Sequence, residues 1–119
     1  MEIRQILTRV YVNHLDSTGT EISLSSIPPK TPLSYFHQHR KNEETYIFLK
    51  GEGEYQVDAD CFPIKEGSVV RVAPNEKRCI YNSSDKPMVY IVIQSKENSL
   101  EAYSSDEGIR VEHEAKWTK

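Results

Sequence analysis

The chain has 119 residues, 37% of them hydrophobic and 28% charged, and its 15 basic and 18 acidic side chains leave a formal net charge of -3. That length suits one domain with one core, and the acidic balance speaks against a binder of nucleic-acid backbone. The longest apolar run, Met88 to Ile93, is too short to span a bilayer. Nothing at the N-terminus reads as a signal peptide, and Cys61 and Cys79 do not make a disulfide framework. The expectation is a soluble cytoplasmic protein with neither nucleic acid nor membrane among its partners.

In chain order, β-forming runs fall at residues 6–12, 21–27, 33–39, 45–50, 54–57, 68–72, 79–82 and 87–94. Turn chemistry punctuates them: Ser17-Thr18-Gly19, Pro28-Pro29, Gly51-Glu52-Gly53, Asp58-Ala59-Asp60, Lys65-Glu66-Gly67, Pro74-Asn75 and Ser83-Ser84-Asp85. Short strands so spaced predict an all-β antiparallel sandwich or small barrel. A further short strand is expected at Ile109-Arg110-Val111, and Trp117 is expected to dock the tail onto the body or a partner.

Strand alternation puts Leu33, Tyr35, His37 and His39 on one face, and Glu44, Tyr46 and Phe48 on one face of the next strand. Ile47 and Leu49 occupy the opposite face of that strand, which predicts a central strand and an apolar outer surface suited to a homodimer. His37 and His39, at i and i+2, present two imidazoles side by side, and Glu44 follows after a turn. Two histidines and a carboxylate suit zinc, iron, nickel or manganese. Glu43 points the other way, Arg40-Lys41-Asn42 reads as a solvated loop, His14 and His113 as surface residues, and Cys61 as part of a turn.

The spacing of His37, His39, Glu44 and Gly51 resembles the first motif of the cupin superfamily, with Thr31 where a glycine often opens it. Gly67, a β run, Pro74, Cys79 and Asn82-Ser83 resemble its second motif, with Glu76 in place of a glycine and Cys79 in place of the fourth metal-ligating histidine. The resemblance covers about residues 30–95. It implies a jelly-roll barrel (a double-stranded β-helix) with a divalent metal, zinc or iron first, held by His37, His39, Glu44 and Cys79. Tyr35, Tyr46, Phe48 and Tyr81 would then line the pocket. Two functions follow from the resemblance: a metal-dependent enzyme on a small polar metabolite (dioxygenase, isomerase or epimerase-like), or a non-catalytic small-ligand binder.

Overall fold

The computed structural model describes residues 2–6, 9–13, 18–101 and 107–117, and for residues 2–13 the backbone only. Ten strands are described: β1 Glu2–Ile6, β2 Arg9–Asn13, β3 Glu21–Ile27, β4 Thr31–Pro32, β5 Asn42–Lys50, β6 Glu52–Val57, β7 Asp60–Lys65, β8 Val69–Val72, β9 Arg78–Asn82 and β10 Met88–Lys96. They form a six-stranded sheet in the order β1-β2-β3-β10-β5-β8 and a four-stranded sheet in the order β4-β9-β6-β7. All the pairings between these strands are antiparallel. From β3 to β6 successive strands alternate between the two sheets, and β7 to β10 alternate again. The chain therefore winds through both layers, as a double-stranded β-helix does.

Period-2 patterning explains why the layers close on each other. Tyr46 and Phe48 of β5 and Tyr90 and Val92 of β10 point inward from the large sheet; Tyr55 of β6 and Ile80 of β9 meet them from the small one, all at 3% exposure or less. Tyr46 stands edge-on to Tyr55 with ring centroids 5.1 Å apart, so an aromatic pair joins the sheets. Such a pair adds about 0.5–1.5 kcal/mol beyond the area it buries. Gly51 turns the chain from β5 in one sheet to β6 in the other at φ 91°, and a Cβ there would lie 2.9 Å from the Met88 Cα. Both constraints demand glycine.

Several sequence expectations are corrected. The run at 6–12 is the hairpin of β1 and β2, whose connecting residues 7 and 8 lie outside the described residues. The run at 33–39 is not a strand: after β4 the chain leaves the ladder, with an isolated bridge between His37 and Arg78. Cys61 sits in β7, not in a turn; β7 is an outermost strand, where Pro63 is tolerated. No strand forms at 109–111, and Trp117 is 87% exposed on the single chain instead of packed on the body. His113 is exposed as expected, whereas His14 lies outside the described residues.

Candidate metal centre

The segment that crosses from β4 to β5 carries both histidines. Its backbone is pinned where regular pairing stops: the His37 N–H donates to the Arg78 carbonyl at 3.2 Å, Arg78 N–H returns a bond to His37 at 3.0 Å, and His39 N–H donates to Pro74 at 2.9 Å. These bonds hold the segment against the start of β9 and turn both imidazoles toward β5. There Glu44 points inward from the strand, in phase with Tyr46 and Phe48.

His37 Nε2 lies 3.3 Å from Glu44 Oε1, and His39 Nε2 lies 3.3 Å from Glu44 Oε2. Ligand atoms from all three residues fall within 4.8 Å of one another. A tetrahedral zinc site with bonds of about 2.0–2.1 Å has ligand–ligand edges of about 3.4 Å, which the two histidine–glutamate separations match. His39 Nε2 is buried, and its 3.3 Å approach to Glu44 Oε2 lacks hydrogen-bond geometry. A cation bound between them would engage both atoms. Both imidazoles keep about a quarter of their surface exposed while Glu44 is 2% exposed, so the open side of the site is the histidine side.

Burial alone raises the Glu44 pKa. Contacts from His37 and Tyr46, with the charges of His39 and Arg78, outweigh that cost and lower its pKa to about 2. The Tyr46 hydroxyl donates to Glu44 Oε1 at 2.9 Å. Burial, and then the Glu44 charge, push the Tyr46 phenol up, so it stays protonated and remains a donor. Glu43, next in the chain, faces outward and pairs with Arg71 at 2.6 Å, which agrees with its predicted orientation.

The residue that sequence reading missed is Arg78. Its side chain is 1% exposed, and its Nη2 lies 3.2 Å from Glu44 Oε1. Its Nη1 donates to the Glu76 carbonyl at 2.6 Å. Glu76 in turn caps the turn before β9 through a bond from the Ala73 N–H at 2.8 Å. Along β9 the inward residues are Arg78, Ile80 and Asn82. Cys79 and Tyr81 therefore face the other way. The Cys79 thiol donates to the Leu33 carbonyl at 3.5 Å and does not belong to the group formed by His37, His39 and Glu44. Burial pushes its pKa up, which disfavours the thiolate that a metal needs. Arg78 and Asn82, four residues apart on β9, share its inward face, and both are fully buried.

The four aromatic positions divide. Tyr46 supports the site from beneath, and Phe48 is core, stacked 6.4 Å from Tyr46. Tyr35 is 68% exposed, its ring 6.2 Å from that of His37, because the irregular segment breaks the alternation that would have turned it inward. Tyr81 is 38% exposed on the outer face of the four-stranded sheet. Two surface grooves of about 430 and 420 Å³ lie around Glu52 and Lys65 and include none of the three clustered residues.

A family model described as a cupin domain matches residues 23–94. The chain belongs to the cupin family. Among solved structures, a cupin protein from Bacteroides fragilis is similar at a TM-score of 0.82 and 32% identity, over 93% of this chain and 96% of that one. A Thermotoga maritima structure described as a predicted oxalate decarboxylase is similar at a TM-score of 0.60 and 24% identity, over 64% of this chain and 65% of that one. That second likeness shows the fold alone. An uncharacterized protein from Methanocaldococcus jannaschii is 30% identical over 71 residues, 59% of this cupin and 57% of that relative. This cupin thus spans little more than half of that relative's length.

Proposed function

We propose that this cupin binds a divalent transition metal, zinc or iron(II) before nickel or manganese, through His37, His39 and Glu44, and acts on a small polar metabolite. The observation that carries the reading is the meeting of three ligand atoms within 4.8 Å, one of them a buried imidazole nitrogen that makes no hydrogen bond. A borderline-soft ion accepts this nitrogen and oxygen donor set, whereas magnesium and calcium prefer all-oxygen sites. An ion held there supplies Lewis-acid polarisation of a substrate oxygen.

The protein residues have separable parts in this reading. Glu44 brings the one anionic ligand, ionised down to a pKa of about 2. Tyr46 fixes its orientation with the 2.9 Å hydrogen bond. Arg78 balances the carboxylate charge from the buried side, so a bound dication gives the centre a net positive charge. That favours a metabolite bearing a carboxylate or another oxyanion. The ligand enters from the histidine side, beside the exposed ring of Tyr35.

A second reading, a non-catalytic small-ligand binder, draws support from Arg78, because the guanidinium already neutralises Glu44 without any metal. Elemental analysis after expression without added metal separates the two. Stoichiometric zinc or iron, lost when both His37 and His39 are replaced by Ala, supports the metal reading. Metal-free protein that stays empty on reloading, yet is stabilised by a metabolite in a thermal-shift screen, supports the binder. Undiminished metal in the double variant would overturn the ligand assignment.

A further inference from the structure

The outer face of the six-stranded sheet is apolar where an antiparallel sheet open to water is normally polar. The registers align Leu24, Ile91, Ile47 and Val69 in one row across β3, β10, β5 and β8. Ile22 and Ile93 pair beside it. Val69 is 63% exposed, and the others are half-buried.

The same chain carries a second apolar surface without a partner. In residues 109–117 the odd positions are Ile109, Val111, His113, Ala115 and Trp117, and the even positions are Arg110, Glu112, Glu114 and Lys116. Alternation over nine residues, interrupted only by His113, is the pattern of a strand with one covered face. Yet no strand forms there, and Ile109, Val111 and Trp117 are 84%, 74% and 87% exposed. The radius of gyration, 17.2 Å, exceeds the value of about 13.5 Å for a compact chain of this length.

We propose that residues 109–117 of one copy of this chain lie across the apolar outer face of the six-stranded sheet of a second copy, reciprocally, with Trp117 as the anchor. The chemistry of the two surfaces matches. The row from Leu24 to Val69 has no charged member, and the odd face of the segment has none apart from His113 if it is protonated. The even positions, of mixed sign, stay in water. Exchange in both directions is isologous and closes at a two-fold dimer.

The area argument calls for the segment as well as the face. Strands β3, β10, β5 and β8, of 7, 9, 9 and 4 residues and about 4.8 Å apart, present on the order of 500 Å², whereas a stable association buries about 800 Å² per partner. A tryptophan alone adds about 150–250 Å², and Ile109 and Val111 lie along the same stripe. Sheet against sheet is too small, and the segment extends the contact toward the needed size. This inference stands apart from the metal reading, since none of its residues touches the site.

Trp117 is the only tryptophan in the chain, so its fluorescence reports this contact directly. The full-length protein is measured from nanomolar to tens of micromolar concentration by emission wavelength, acrylamide quenching and light scattering. The expected result is a dimer whose emission is blue-shifted and protected, with mass and emission reverting together on dilution. Val69→Glu on the face and Val111→Asp on the segment each weaken the dimer at least about tenfold and shift the emission to the red. Their far-ultraviolet circular dichroism stays unchanged, because both side chains are exposed on the single chain. Solvent-type emission at every concentration overturns the proposal. So does a dimer indifferent to Val111→Asp, and so does protected emission in a monomer, which would place the segment on its own body.

Discussion

The Arg78 guanidinium lies 3.2 Å from a carboxylate oxygen of Glu44, and neither side chain is more than 2% exposed. Two opposite charges removed from water together are each a necessity for the other. Arg78→Ala leaves Glu44 buried beside a hole and is expected to destabilise the fold by about 3–5 kcal/mol, measured by urea unfolding of metal-stripped protein. Arg78→His removes the fixed cation and offers an imidazole from the same inward position. Zinc affinity in a chelator competition is expected to rise about 10- to 100-fold, the scale on which neighbours of a metal ligand act. Unchanged or weaker binding would show that Arg78 does not oppose the cation.

Glu44 also sets an acid limit. Its pKa falls from 4.5 in the unfolded chain to about 2 in the fold. The folded state then binds fewer protons, so the stabilisation is complete above about pH 4.5 and is lost as pH falls from there through about 2. A shift of that size corresponds to about 3 kcal/mol. Unfolding free energies of metal-stripped protein between pH 6 and pH 2.5 should decline more steeply in the wild type than in Glu44→Gln. Parallel curves would remove Glu44 from the account.

Asn82 joins β9 to both neighbouring turns. Its amide nitrogen lies within 3.0 Å of the carbonyls of Ile27, Pro28 and Lys86, and its side-chain oxygen accepts from the backbone N–H and the hydroxyl of Ser84. Asn82→Leu strands several buried polar groups at once and should cost about 2–4 kcal/mol. Asn82→Asp keeps the acceptor but not the donor, and should recover only part of that loss. A midpoint shift below 1 M urea for the Leu variant would count against this role.

Cys79 gives a spectroscopic test of the strand phase. With its thiol turned toward Leu33, cobalt(II)-loaded protein should lack an intense sulfur-to-cobalt charge-transfer band, and Cys79→Ser should bind cobalt as the parent does. A strong band that vanishes in the Ser variant would restore Cys79 as a ligand.

Much of this architecture can be read from the sequence where local patterning and burial agree. The run at 21–27 is β3 to the residue, and β5 was legible from Tyr46 and Phe48 on one face and Ile47 and Leu49 on the other. His37, His39 and Glu44 were legible because their spacing is chemical as well as structural. The phase of β9 was not. In Arg-Cys-Ile-Tyr-Asn, polarity alone favours Cys79 and Tyr81 inside over Arg78 and Asn82. The opposite phase wins because Glu44 and the carbonyls near Pro28 await those two polar side chains, and both partners are distant in sequence. Strand β7 was hidden by Asp60 and Pro63, which weaken β propensity but are tolerated on an outermost strand.

Pro63 has a consequence for molecules at high concentration. A proline fits a ladder where its missing N–H points away from the neighbouring strand, so the free rim of β7 lacks one donor near its middle. Asp60 and Lys65 place charges at the two ends of the same strand. A stray strand from another molecule meets an interrupted ladder there and cannot zip along it. The four-stranded sheet is thereby blunted against aggregation at that rim, which keeps crowded copies from fusing into a continuous sheet.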